Sequence, residues 1–129
     1  MTTRSDVELR VPADTAYVAV LRTTTAGLAA RLDFTLDDIE DLRMAVGEAC
    51  ALVLRSASPG SDLTCRFHLG TGVLTVEVGV DAASAAAPDL DSFAWQVLTT
   101  LAGDASVSVD EGRFEITLSM TSELQDATG

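Results

Sequence analysis

TLDDIEDLRMAVGEACALVLRSASPG, residues 35–60, is the most regular stretch of this chain. Ile39, Leu42, Val46, Ala49 and Val53 recur at intervals of 3, 4, 3 and 4. That spacing makes one apolar stripe along an α-helix. Asp38, Asp41, Glu48 and Arg55 fall off the stripe. Thr35 with Asp38 three residues on has the form of an N-terminal capping box, with Asp where Glu or Gln is usual. Ser58-Pro59-Gly60 stops the helix.

Upstream, Val7, Leu9 and Val11 alternate with Glu8 and Arg10, the period of a half-buried strand. Pro12-Ala13-Asp14 breaks it, and Asp14 can cap a helix over about 14–32, marked by Tyr17, Leu21, Leu28 and Leu32 and weakened by Gly27. Downstream, Leu63, Cys65, Phe67 and Leu69 alternate with polar residues. Gly70-Thr71-Gly72 turns the chain, and Leu74, Val76, Val78 and Val80 alternate again, which predicts an antiparallel hairpin. Residues 81–89 read as an Ala-rich loop. Leu90, Phe93, Ala94, Val97, Leu98 and Leu101 mark a third helix. Val107 and Val109 form a short strand, Asp110-Glu111-Gly112 a turn, and Phe114, Ile116, Leu118 and Met120 a last strand. The tail from Ser122 is expected to fray.

The order is therefore β-α-α-β-β-α-β-β. Because each element has one apolar face, the expected fold is α+β, a two-layer α/β sandwich. Three helices would cover one face of a mixed, mainly antiparallel sheet, in a single domain over 1–129.

Composition removes several functions. The 129 residues carry 8 Arg, no Lys and 20 acids, a formal charge of −12. Phosphate neutralisation and polybasic membrane anchoring both need clustered Lys or Arg, so direct nucleic-acid and membrane binding are not expected. Without Lys there is no Walker-A or Schiff-base chemistry. No apolar run reaches spanning length and no secretory signal is visible, so a cytoplasmic location is expected. Cys50 and Cys65 read as reduced, buried thiols. With His68 they do not make a zinc spacing, so no metal site is expected. His68 falls on the polar face of its strand and reads as a surface residue.

Glu48 is the first candidate for chemistry. On residue type alone it is a solvated helix-face acid. On a phosphotransfer helix, such a carboxylate accepts the substrate hydroxyl proton, and an Asn four residues on would ligate Mg²⁺. Here that position is Leu52, and an alkyl chain has no lone pair for a hard cation.

VELRVPAD at 7–14, Arg22, and DIEDLRMAVGEAC at 38–50 resemble the RsbW-type anti-sigma factors. These are small members of the Bergerat-fold (GHKL) ATPase and kinase superfamily. Arg55-Ser56-Ala57 and Ser92-Phe93-Ala94-Trp95-Gln96-Val97-Leu98 followed by Leu101-Ala102 look like the actinobacterial branch. The resemblance places Glu48 at the catalytic base and Leu52 at the Mg²⁺-binding Asn. The adenine-reading Asp-x-Gly-x-Gly becomes Gly79-Val80-Asp81-Ala82-Ala83, with the Asp displaced by one, and such a slip turns a strand side chain to the other face. Ser92-Phe93-Ala94 stands where a glycine-rich phosphate lid is expected, and Arg113 replaces the Thr of a Gly-Thr pair.

The resemblance implies sequestration of an alternative sigma factor by a homodimer, with an anti-anti-sigma (STAS) protein as the releasing partner. These departures lead us to expect no cofactor, with ATP and Mg²⁺ only if the chain is an active serine kinase. A third reading is an orphan binding scaffold. Arg22 aligns with an Arg of the family's partner-binding face, and Trp95 reads either as core or as an interface anchor.

Overall fold

The computed structural model describes residues 4–82, 92–110 and 112–122. The loop expected at 81–89 beyond Ala82, the helix residue Leu90, the turn residue Glu111 and the tail beyond Ser122 lie outside them. The elements follow the expected order. They are β1 (Val7–Pro12), a 3-10 turn (Thr15–Tyr17), α1 (Val18–Arg31), α2 (Leu36–Leu54), β2 (Asp62–Gly70), β3 (Val73–Asp81), α3 (Phe93–Leu101), β4 (Asp104–Asp110) and β5 (Arg113–Thr121).

The sheet order is β1-β2-β3-β5-β4, and every neighbouring pair is antiparallel. The α1–α2 pair is an even number of helical passes, so β2 returns antiparallel to β1. The single helix α3 carries the chain from β3 to β4 in the same sense, but β5 enters between them and is antiparallel to both. The parallel component expected from the sequence is thus a relation between non-adjacent strands.

α2 is the hub of the helical layer, packing on α1, α3, β3 and β5. Thr35 caps it as expected, accepting from the Asp38 N–H at 3.1 Å. Its buried stripe, Leu42, Val46, Ala49 and Val53, meets Cys65, Phe67, Val76, Val78, Ile116 and Leu118 of the sheet in one core. Ile39 is only partly buried against that core. Asp38 departs from the expected pattern, being only 6% exposed, because α2 docks its first turn beside the end of α3 and the start of β4.

α1 also differs from its apolar pattern. Leu21 is buried, but Tyr17 is exposed in the 3-10 turn, and Thr25 and Ala29 complete the buried line. Small side chains let α1 approach α2 closely. The Thr25 hydroxyl is satisfied by donating to the Leu21 carbonyl at 2.7 Å. Asp33, just past the C-cap Leu32, takes φ 61°, the left-handed residue that ends α1.

The other face of the sheet is polar and laced with ion pairs. Arg66 bridges Glu8 at 3.5 Å and Glu115 at 3.6 Å, and Arg113 reaches Glu115 at 3.2 Å. His68 is half-buried and meets Glu77 at 2.7 Å across the β2–β3 hairpin, a pairing the sequence reading did not anticipate. At this exposure each such pair stabilises the fold by about 1 kcal/mol or less.

Both cysteines are free and lie fully inside the core. Burial pushes the Cys50 thiol up to about 12 and the Cys65 thiol higher still. The folded state therefore keeps these protons after the unfolded thiols, at 9.0, have lost them, so stability falls as pH rises above that value. Iodoacetamide at pH 8 is expected to leave both thiols unmodified in the native chain and to label both in denaturant. Rapid native labelling would place a thiol outside the core.

Candidate functional site

The second half of α2, the end of β3, and the starts of α3 and β5 converge at one pole of the sandwich. Two backbone bonds tie the loops there. The Ser58 N–H donates to the Asp81 carbonyl and the Ala82 N–H to the Gly112 carbonyl, each at 2.8 Å. Every residue singled out for nucleotide chemistry lies on one of these elements, but the side chains do not converge.

Glu48 is half-exposed on the flank of α2, with no ion pair among the described residues. Leu52, one turn on, is 8% exposed and belongs to the core. The position that the resemblance gives to a cation ligand is thus packed alkyl carbon, which a hard divalent cation does not bind. Asp81 alternates with the buried Val80, so it projects from the open face of the sheet, away from the helices. There it pairs with Arg113 Nη1 at 3.3 Å, directly across the β3–β5 register. Asp81 and Arg113 do meet, as neutralised partners on the face opposite the helices.

Gly79 explains how Arg113 lies there. A Cβ at residue 79 would stand 2.6 Å from Arg113 Nη2 and 2.8 Å from Glu115 Cγ. The glycine serves the ion-pair network of the open face.

On α3, Ser92 caps the helix by accepting from the Trp95 N–H at 3.2 Å. Ala94 is half-buried against the core, and Trp95 is 9% exposed within it. Its indole is thus a packing element here. Phe93, which the sequence pattern counted among the apolar residues marking the third helix, is instead 81% exposed on the first turn of α3. The signal was its position directly after the cap, where a side chain on the first turn can lie off the buried stripe.

These residues do not fit a Mg-nucleotide. Of the positions that the resemblance gives to a nucleotide, Leu52 is core carbon and Asp81 projects from the face of the sheet opposite the helices.

A second surface lies between α1 and α2. Arg22 is half-buried and crosses to α2, where its Cδ stands 3.4 Å from the place a Gly47 Cβ would take. With Val18, Met44, Gly47 and Glu48 it lines a shallow cavity of about 230 Å³. Among the described residues Arg22 makes no ion pair. Met44, 50% exposed, lines the same cavity, whereas Val20, 46% exposed, lies on a separate surface with Ala19, Thr23 and Thr24. A glycine inside a strong helix costs about 1 kcal/mol relative to Ala, and a Cβ at residue 47 would make only ordinary van der Waals contact with the Arg22 stem.

A larger cavity, about 420 Å³, opens at the opposite pole between the start of α2 and the end of α3, with Asp38, Asp41 and Asp104 on its wall. Among the described residues, no group of three or more His, Cys, Asp or Glu is placed to hold a metal. No helix is long and apolar enough to cross a membrane.

Comparison with known proteins adds three observations. The sequence profile of the histidine kinase-like ATPase domain matches residues 11–118. The serine-protein kinase RsbW of Halalkalibacterium halodurans is 45% identical over 64 residues, covering 49% of this chain and 40% of that protein. RsbW of Bacillus thuringiensis is 45% identical over 51 residues, covering 40% of the chain and 32% of its relative. The chain thus matches less than half the length of these curated relatives. A crystal structure of the RsbU and RsbW domains of a Mycobacterium tuberculosis protein shares the fold. It has a TM-score of 0.66 over 90% of this chain and 32% of that one, at 14% identity.

Proposed function

The chain belongs to the histidine kinase-like ATPase domain family, in its RsbW-type branch, and from that premise we propose that it is an anti-sigma factor acting without nucleotide. It binds an alternative sigma factor stoichiometrically, as a homodimer, and an anti-anti-sigma STAS protein releases the sigma factor by competing for the same surface. The switch is a difference of affinities between two partners.

The observation that carries this reading is Leu52. It is packed into the core where the family's cation ligand would stand, while the surface around Arg22 stays open to solvent. The half-buried Arg22, its stem resting over Gly47, is suited to a bidentate pair with a partner carboxylate. Met44, on the wall of the same cavity, supplies apolar contact area beside it. A charge of −12 steers the chain toward a protein whose own surface is basic because it binds promoter DNA.

The competing reading is an active serine kinase with Glu48 as the base, supported by the half-exposed carboxylate and by the names of the curated relatives. Isothermal titration with Mg-ATP separates the two. The expected result is no saturable binding, a Kd weaker than about 1 mM. A micromolar Kd with phosphate transfer to a STAS-protein serine would establish the kinase.

A further inference from the structure

The sheet has two edges, and they are built differently. β1 carries Glu8 and Arg10 along its polar side and ends in Pro12, which has no N–H to offer. Charges and proline on an edge strand discourage further pairing. β4 has neither device in its interior. It is DASVSVD, seven residues with nothing larger than Val between its terminal acids. It pairs with β5 on one side, and among the described residues no strand pairs with it on the other. Every second residue of β4 therefore turns its N–H and C=O outward, an open template for a further strand.

The side chains along that edge specify what fits. On the helix face of the sheet, Val107 stands beside Ile116 and Val109 beside Phe114. Val109 is 41% exposed and Val107 half-buried, so an added strand with apolar residues on this face would extend the core outward. On the open face, Ser106 and Ser108 leave space, and Asp104 and Asp110 sit at the two ends, both exposed.

We propose that the outer edge of β4 is a docking site for an extended segment of a partner protein, with apolar residues alternating with basic ones. Its apolar side chains cover Val107 and Val109, and its basic ones meet Asp104 and Asp110. A second copy of this chain fits poorly. Pairing two β4 strands antiparallel over their full length sets Asp104 of each against Asp110 of the other, and like charges directly opposed are destabilising. A basic segment is also attracted at a distance by the chain's charge of −12. This edge lies outside the surface around Arg22, so the proposal does not depend on the sigma-factor reading.

The test uses the whole chain and the synthetic peptide Arg-Val-Arg-Val-Arg-Val-Arg, followed by amide hydrogen exchange. A control peptide of the same sequence carries N-methyl groups on alternate residues, which keeps the charge and removes strand pairing. The expected result is that the first peptide slows exchange in residues 104–110 at least tenfold and the methylated one does not. The substitution Ser108→Lys, placing a cation on the edge, is expected to remove the protection while leaving the thermal midpoint unchanged. Equal binding of both peptides without protection of β4 would reduce the effect to bulk charge and overturn the proposal. So would protection confined to β1. Concentration-dependent protection of β4 in the chain alone would assign the edge to a second copy instead.

Discussion

If the chain binds a sigma factor as proposed, Arg22→Glu is expected to lower that affinity about 100-fold or more. Arg22 projects from α1 across Gly47, half-buried and with no ion pair among the described residues, so its charge is available to a partner. Truncating one member of a desolvated interfacial charge pair costs about 2–5 kcal/mol. Reversal adds repulsion from the partner carboxylate and from Glu48, which lines the same cavity. The side chain lies at the surface of the α1–α2 seam, so the thermal midpoint should change by only a few degrees. Arg22→Lys separates geometry from charge. It keeps the cation and loses the planar fork, so an intermediate loss of about tenfold is expected if the contact is bidentate. Titration of the sigma factor against the three proteins reads both effects. Unchanged affinity in Arg22→Glu would move the partner surface elsewhere.

Leu52→Asn, which places at residue 52 the Asn that the resemblance implies there, is expected to destabilise the chain without bringing nucleotide binding. Leu52 is 8% exposed and part of the core shared with Trp95, Leu98 and Phe114. The substitution loses buried aliphatic carbon and places an amide among apolar neighbours, together about 3 kcal/mol. For a domain of this size that lowers the thermal midpoint by about 10 °C. Nucleotide binding does not return, because Asp81 still projects from the open face of the sheet, held to Arg113 at 3.3 Å. Calorimetric unfolding and a Mg-ATP titration on the same preparation check both halves. A variant of unchanged stability that binds Mg-ATP at micromolar concentration would mean that the pocket is intact and lacks only its ligand.

Much of this was legible because the signals were local. Thr35 caps α2 as expected, whereas Asp14, expected to cap a helix over about 14–32, caps the 3-10 turn Thr15–Tyr17, and α1 begins at Val18 without a side-chain cap. The hairpin turn at Gly72 and the turn at Gly112 need left-handed backbone, φ 68° and 81°, which glycine supplies. The slip of Asp81 was also readable, since parity along a strand decides the face. What escaped depended on tertiary packing. The buried line of α1 runs through Thr25 and Ala29 because α2 comes close, and no hydropathy pattern marks a buried threonine. Asp38 is buried by the elements around it, and His68 meets Glu77 through strand register, which a reading of one strand at a time does not contain. The sheet is antiparallel throughout because the last strand inserts between β3 and β4, a choice set by the whole chain.

The most direct test of sequestration without nucleotide is calorimetric titration of the chain with an alternative sigma factor from its own genome, once in EDTA without nucleotide and once with Mg-ATP. The account predicts a stoichiometric complex in EDTA, with the same Kd within about twofold when Mg-ATP is present, since a ligand that does not bind cannot shift the equilibrium. Binding that appears only with Mg-ATP, or no binding to any sigma factor of that genome, would contradict it.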